Sequence, residues 1–172
     1  MNCTVLFKGT TLHLLGTQPS IGAKAKDFHL TGKDLQDKSL KDFTESRKLL
    51  YTVPSLDTPV CSRSFLEFSK KLQGIDDLCF LLISADLPFA QQRVCLMQHV
   101  EKVETLSVMR NHQFALDYGI LIDSLPLKGL LARAVFLLSD DNKLIYSEIV
   151  HEITQEPNYD AAISAIQASQ KR

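Results

Sequence analysis

The chain carries 172 residues, 45% of them hydrophobic and 23% charged, which suits one soluble domain spanning 1–172 that buries a core without metal or disulfide staples. Its 19 basic and 20 acidic side chains leave a formal charge of −1, so charge makes no case for nucleic acid or an anionic membrane as partner. No apolar run approaches the roughly 18 residues that span a bilayer. The opening MNCTVLFKGTTLHLLG is not laid out as a signal peptide, because Lys8 lies inside its apolar part, and a reducing cytoplasm is the expected setting.

Cys3–Phe7 and Thr11–Leu15 flank Lys8-Gly9-Thr10 and predict a β-hairpin turned at Gly9. Ile21–Asp27 reads as a connection, and the short apolar stretches Phe28–Leu30 and Ser39–Phe43 are ambiguous. Lys48–Val53 is β-prone and stops at Pro54. In Cys61–Gln73, residues Cys61, Phe65, Phe68 and Leu72 share one helical face, and Gly74 fits a helix stop.

Cys79–Ala85 is a continuous apolar run suited to a strand covered on both faces. Phe89–Val100 reads as a helix with Phe89, Leu96 and Val100 on one side, Val103–Met109 as a strand, and His112–Tyr118 as a short helix ended by Gly119. Leu121–Gly129 is expected to be a loop. Ala132–Ser139 and Lys143–Val150 form a second hairpin around Asp140-Asp141-Asn142, and Asn158–Ala168 a last helix capped by Asn158. This order argues for an α/β sandwich with parallel strands in the centre and an antiparallel hairpin at the edge.

Four cysteines, Cys3, Cys61, Cys79 and Cys95, are scattered without a C-x-x-C pair, which weakens both a zinc site and a thioredoxin-type dithiol motif. The histidines His13, His29, His99, His112 and His151 show no metal-ligand spacing, and no cofactor is expected. Attention falls on TVPSLDTPVCSRSF. Cys61 sits at a helix start, where free amides and aligned peptide dipoles favour a thiolate. Thr58, three positions earlier, can direct its hydroxyl to the sulfur or to a bound oxygen, while Pro54 and Pro59 stiffen the approach. The plain alternative is a small hydrophobe packed beneath the helix. Cys79 reads as core and Cys3 as structural or exposed; Phe89 and the Phe65/Phe68 stripe read as core, or as a channel for apolar hydroperoxides. A Cys–His hydrolase requires a histidine within hydrogen-bond reach of Cys61.

The pattern Pro54-x-x-x-Thr58-x-x-Cys61 resembles the peroxidatic signature of the peroxiredoxins, and VPSLDTPVCSRSF, LLISADLPFAQQRVC, PLKGLLARAVFLL and EITQEPNYDAA are similar to the bacterial thiol peroxidase branch along essentially the whole chain. The resemblance implies a thioredoxin-like fold with a central mixed sheet flanked by helices, and an atypical two-cysteine peroxidase, usually a homodimer. It makes Cys61 the peroxidatic cysteine and Cys95 the resolving cysteine of the same subunit, with Thr58 and Arg133 completing the site and Pro54 shielding it. It also implies hydrogen peroxide and organic hydroperoxides as substrates, with the amides of Val60 and Cys61 as further donors to them. A Cys61–Cys95 disulfide would be recycled by thioredoxin or a similar dithiol, and if the two helices pack separately, each must unwind for it to form. Pro59 stands where this branch commonly has glycine. A redox sensor or scaffold that signals oxidation through Cys61 without turnover is the alternative reading, and an inert binding module a third.

Overall fold

The computed structural model describes residues 3–44 and 47–170. Strands β1 (Thr4–Phe7) and β2 (Thr10–Leu15) form the expected hairpin, with a tighter turn than the sequence suggests. Lys8 and Gly9 both take positive φ, 51° and 79°, the two-residue turn whose twist matches that of its strands. The ambiguous stretches resolve into β3 (Leu30–Gly32), β4 (Asp37–Lys38) and a short 3-10 helix, Leu40–Asp42, closed by a reciprocal cap between Ser39 and Asp42.

The remaining elements are β5 (Arg47–Thr52), α1 (Pro59–Lys71), β6 (Leu78–Ser84), α2 (Pro88–Met97), β7 (Glu104–Ser107), α3 (Gln113–Asp117), β8 (Leu121–Ile122), β9 (Ala134–Leu138), β10 (Leu144–Ile149) and α4 (Tyr159–Ala168). Seven strands make one mixed sheet in the order β10-β9-β5-β6-β7-β3-β4, with β5, β6 and β7 parallel in the middle. The β9–β10 hairpin closes one edge, as expected.

The pleat of the central strands sorts their side chains into two cores. Leu49, Tyr51 and Val53 of the β5 segment join Phe80 and Leu82 of β6 and Val135 and Leu137 of β9 on one face, against Cys61, Phe65 and Phe68 of α1 and Ala162 and Ile166 of α4. Leu50, Leu81, Ile83, Ala134, Phe136 and Leu138 point the other way, against Phe114 and Ala115 of α3 and the amino-terminal hairpin. Each fully buried large apolar side chain contributes about 1.5–3 kcal/mol, so both faces are well supported.

Three expectations need correction. The loop expected at Leu121–Gly129 contains β8, which pairs with β2 to complete a separate three-stranded sheet; two residues are too few to leave a periodic signal. The helix expected over Phe89–Val100 ends at Met97 and presents a different face: Phe89 is 64% exposed and Leu96 70%, while Gln91 and Val94 turn inward. A polar residue can hold that core position because the Gln91 amide donates to Ser84 Oγ and to the Leu106 carbonyl, both at 2.9 Å. The first long helix begins at Pro59, two residues before Cys61. Asn158 does cap α4, accepting the Ala161 amide at 3.0 Å.

The hairpin turn is fastened to the body by Glu152, whose carboxylate accepts the amides of Lys8 (3.2 Å), Gly9 (3.0 Å) and Thr154 (3.1 Å) and the Thr154 hydroxyl (2.7 Å). Partial desolvation opposes the charge, yet these four donors together hold the Glu152 pKa down at about 2. A depressed carboxyl stabilises the folded form above its unfolded pKa and loses that contribution as pH falls through the folded one. Parent protein is therefore expected to lose stability progressively from pH 4.5 towards 2, more steeply than Glu152→Gln in urea titrations across that range; equal acid slopes would contradict the clamp.

Candidate active site

Cys61 occupies the third position of α1, inside its first turn, where backbone amides lack helical acceptors. Thr58 caps this helix: its Oγ1 accepts the Cys61 amide at 3.3 Å and donates to the Ser55 carbonyl at 3.2 Å. The Cys61 amide expected to serve as a peroxide donor is thus already engaged, while the Val60 amide has no hydrogen-bond acceptor among the described residues. Pro59 takes the first helical position, where a missing N–H costs no bond and the fixed φ suits the helix. The departure from glycine is accommodated by the helix start itself.

Arg133 approaches from the segment leading into β9 and is only 1% exposed. An arginine at a strand end is ordinarily solvated; here all five guanidinium hydrogens find acceptors. Nη2 donates to Cys61 Sγ at 3.1 Å and to the Ile153 carbonyl at 3.1 Å, Nε to the same carbonyl at 3.3 Å, and Nη1 to Tyr51 Oη at 2.8 Å and Ser64 Oγ at 3.0 Å. Tyr51 in turn donates to Ser64 at 2.6 Å, and Ser64 to the Cys61 carbonyl at 3.1 Å. Burial pushes the Tyr51 phenol up to about 12, so it stays neutral and can donate and accept at once. Burial also opposes the charge on Arg133, but Tyr51 and Cys61 beside it raise its pKa overall. The sulfur therefore faces a fixed cation as well as the positive end of a helix, two fields that favour negative charge there.

Sequence reasoning missed Tyr51, Ser64 and the Ile153 carbonyl. Ser64 lies one helical turn after Cys61 and shares its face, a signal that was readable. Tyr51 stands out only as a polar tip in a strand buried throughout, and a backbone carbonyl carries no sequence signal at all.

Above the sulfur lies a cavity of about 430 Å³ walled by Phe7, Pro54, Val60, Leu127, Leu130 and Ile153, with Thr58, Cys61 and Arg133 as polar groups inside it and exposed Lys8 at its edge. Pro54 is buried and lines the same cavity as Cys61. Phe65 and Phe68 are fully buried in the core, and neither they nor Phe89 line the cavity. Among the described residues no histidine hydrogen-bonds to Cys61, whose sulfur is held by Arg133 instead; this removes the Cys–His hydrolase reading. Cys79 is buried, as expected of a core residue, and Cys3 is exposed.

Cys95 sits in α2, half-buried against the same core as Cys61, and no disulfide joins the two. Burial pushes its thiol up to about 11. On the solvent side α2 is clasped to the loop before α1 by Arg93, which donates to both oxygens of Asp57 at 2.9 and 3.2 Å, and its end is clasped to α1 by Gln98, whose amide donates to the hydroxyl of Ser62. The structure thus brings Thr58, Cys61, Arg133 and Pro54 together around one cavity and keeps Cys95 on a separate helix.

A family model described as Redoxin matches residues 20–163. A thiol peroxidase of Streptococcus pneumoniae is 44% identical over 164 residues, covering 95% of this chain and 99% of that protein. Among solved structures, a peroxiredoxin-like protein from Aquifex aeolicus superposes with a TM-score of 0.91 at 36% identity, covering 97% of each chain. A thiol peroxidase from Chromobacterium violaceum superposes at 0.92 with 25% identity, covering 99% of this chain and 100% of that one. The architecture, a central mixed sheet flanked by helices, is accordingly thioredoxin-like. With a buried cysteine held against a guanidinium beneath an apolar cavity, the chain belongs to the redoxin family, in the thiol peroxidase branch of the peroxiredoxins, and is a thiol-dependent peroxidase.

Proposed function

We propose that Cys61 is the nucleophile and Cys95 its resolving partner, in a single peroxidase domain spanning 1–172 that reduces hydrogen peroxide and organic hydroperoxides. The observation that carries this reading is the 3.1 Å hydrogen bond from Arg133 to Cys61 Sγ at the inner end of the apolar cavity. The cavity walls suit the hydrocarbon part of an organic hydroperoxide, because burying apolar substrate surface is favourable.

In the first step the Cys61 thiolate attacks the nearer peroxide oxygen. The S–O bond forms as the O–O bond breaks; the thiol is oxidised to sulfenic acid, and the leaving alkoxide or hydroxide takes a proton and departs as alcohol or water. Arg133 stabilises the charge as it moves from sulfur to oxygen. Both Nη2 hydrogens are engaged in the resting site, so the incoming oxygen shares the one that points at Sγ. Thr58 orients the peroxide by rotating its hydroxyl proton away from the Ser55 carbonyl, and the Val60 amide is the additional donor.

In the second step Cys95 Sγ attacks the sulfenic sulfur, the S–O bond breaks, and hydroxide leaves with the Cys95 proton as water. Cys61 and Cys95 lie on separate helices, and in this reading the disulfide, whose α-carbons come within about 7 Å, forms once the first turn of α1 and much of α2 unwind and the Arg93–Asp57 and Gln98–Ser62 clasps break. A thioredoxin-type dithiol then reduces the disulfide in a reducing cytoplasm. A second copy of the chain completes a homodimer.

Two measurements test this cycle. Peroxide-dependent NADPH oxidation, coupled through thioredoxin reductase and thioredoxin, is expected to be sustained by the parent and abolished in Cys61→Ser and Cys95→Ser, with Cys95→Ser still consuming one peroxide. Full turnover by Cys61→Ser would overturn the assignment. Alkylation of Cys95, followed peptide by peptide at fixed pH, tests the unwinding. Burial holds the folded thiol up at about 11, so at neutral pH reaction proceeds from the opened form, where the thiol is solvated. The alkylation rate is expected to rise with urea well below the global unfolding transition; a rate that stays flat until the whole protein unfolds would contradict local unwinding of α2.

A further inference from the structure

The loop leading to Cys61 and the loop leading into α2 meet at one carboxylate that no part of the cycle above uses. Asp86, two residues before Pro88, accepts the Ser55 hydroxyl at 2.6 Å on one oxygen. Its other oxygen accepts the Leu56 amide at 2.7 Å and the Ser84 hydroxyl at 2.8 Å. Its backbone carbonyl accepts the Ser107 hydroxyl at 2.6 Å, which fastens it to the end of β7. The Ser84 hydroxyl also receives the side-chain amide of Gln91, inside α2. A single side chain thus ties the segment before Cys61 to the first turns of the helix that carries Cys95.

Ser55 connects this junction to the chemistry. Its carbonyl accepts both the amide of Thr58, at 3.3 Å, and the Thr58 hydroxyl, at 3.2 Å, and the residue lines the peroxide cavity. Holding Ser55 therefore fixes the Thr58 hydroxyl beside the sulfur. The same bonds restrain both segments that must unwind before the disulfide can form.

We infer that Asp86 is a positioning residue for both half-reactions: it keeps Thr58 placed for the peroxide and latches α2 against the unwinding that brings Cys95 to Cys61. The inference rests on the two-cysteine reading given above. Its chemical consequence is a competition at the Cys61 sulfenic acid. Either Cys95 displaces hydroxide to give the disulfide and water, or a second hydroperoxide transfers an oxygen to give sulfinic acid and an alcohol. A firm latch slows the first branch and so exposes the enzyme to the second; a weaker latch does the reverse.

The test uses full-length protein, a cumene hydroperoxide pulse, rapid quenching by alkylation, and mass spectrometry of the Cys61 and Cys95 peptides. Asp86→Asn keeps the shape but replaces an anionic acceptor of three bonds with a neutral amide, which sets an NH₂ group against one of its donors. Losing one such bond is expected to speed disulfide formation about tenfold and to lower the sulfinic fraction about tenfold at equal peroxide. First oxidation of Cys61 is expected to slow in the same variant, since Thr58 loses its anchor. Ser55→Ala, a milder change, is expected to act in the same directions, with the double variant less than additive.

Phe114→Leu, which softens the opposite core, controls for general destabilisation and is expected to leave both rates within about twofold. Disulfide formation in Asp86→Asn within about twofold of the parent, equal acceleration in Phe114→Leu, or full additivity of the double variant would each overturn the latch. A parent that forms no Cys61–Cys95 disulfide would instead sink the two-cysteine cycle, and the latch with it, a failure visible without any variant.

Discussion

A buried guanidinium is the constraint around which this site is built. An unpaired charge inside a protein costs several kcal/mol, so Arg133 is tolerable only where its hydrogens all find acceptors. Five acceptor contacts converge on it, from Cys61, Ser64, Tyr51 and, twice, the Ile153 carbonyl. Each comes from a different part of the chain: the start of α1, its second turn, the end of β5 and the segment after β10. Satisfying one arginine therefore fixes the helix start against the sheet and holds the sulfur at the inner end of the apolar cavity. The arrangement that makes the charge affordable is the one that presents it to the Cys61 sulfur.

The proposed two-cysteine cycle adds a second constraint: the protein must be well ordered for the peroxide and yielding for the disulfide. The two helices carry this burden unequally. Below its first turn, α1 buries Phe65 and Phe68 completely, so only its start can unwind cheaply. The inward side of α2 offers Pro88, Gln91 and Val94, while Leu96, Met97 and Phe89 already face solvent. Unwinding α2 exposes little new apolar surface, which marks it as a low-stability unit. The Arg93–Asp57 pair on its outer side is exposed and contributes at most about 1 kcal/mol, so the stronger restraint lies at the buried end of the helix, around Asp86.

Much of this was legible in the sequence where local rules decide. The cap at Asn158, the parallel central strands and the β9–β10 hairpin follow from periodicity and short-range chemistry, and the resemblance carried by Pro54-x-x-x-Thr58-x-x-Cys61 marks the cysteine. What was not legible depends on partners distant in the chain. Gln91 takes a core position because Ser84 and Leu106 happen to receive it, and that choice turns Phe89 outward. Strand β8 exists because β2 is there to pair with it. Tyr51 becomes a site residue only once Arg133 arrives beside it, and Phe7, Leu127 and Leu130 become cavity walls through tertiary contacts alone.

In the proposed cycle the Arg133 charge, delivered through Nη2, drives oxidation of Cys61. The direct measurement is the single-turnover rate of Cys61 oxidation by cumene hydroperoxide in Arg133→Gln against the parent, each first shown to unfold cooperatively in urea. Loss of a fixed donor to the charge that develops at the reacting atoms is expected to slow this step by about 10²–10³-fold. A folded Arg133→Gln protein that oxidises within about threefold of the parent rate would contradict the account, since a change that small is under 1 kcal/mol of barrier.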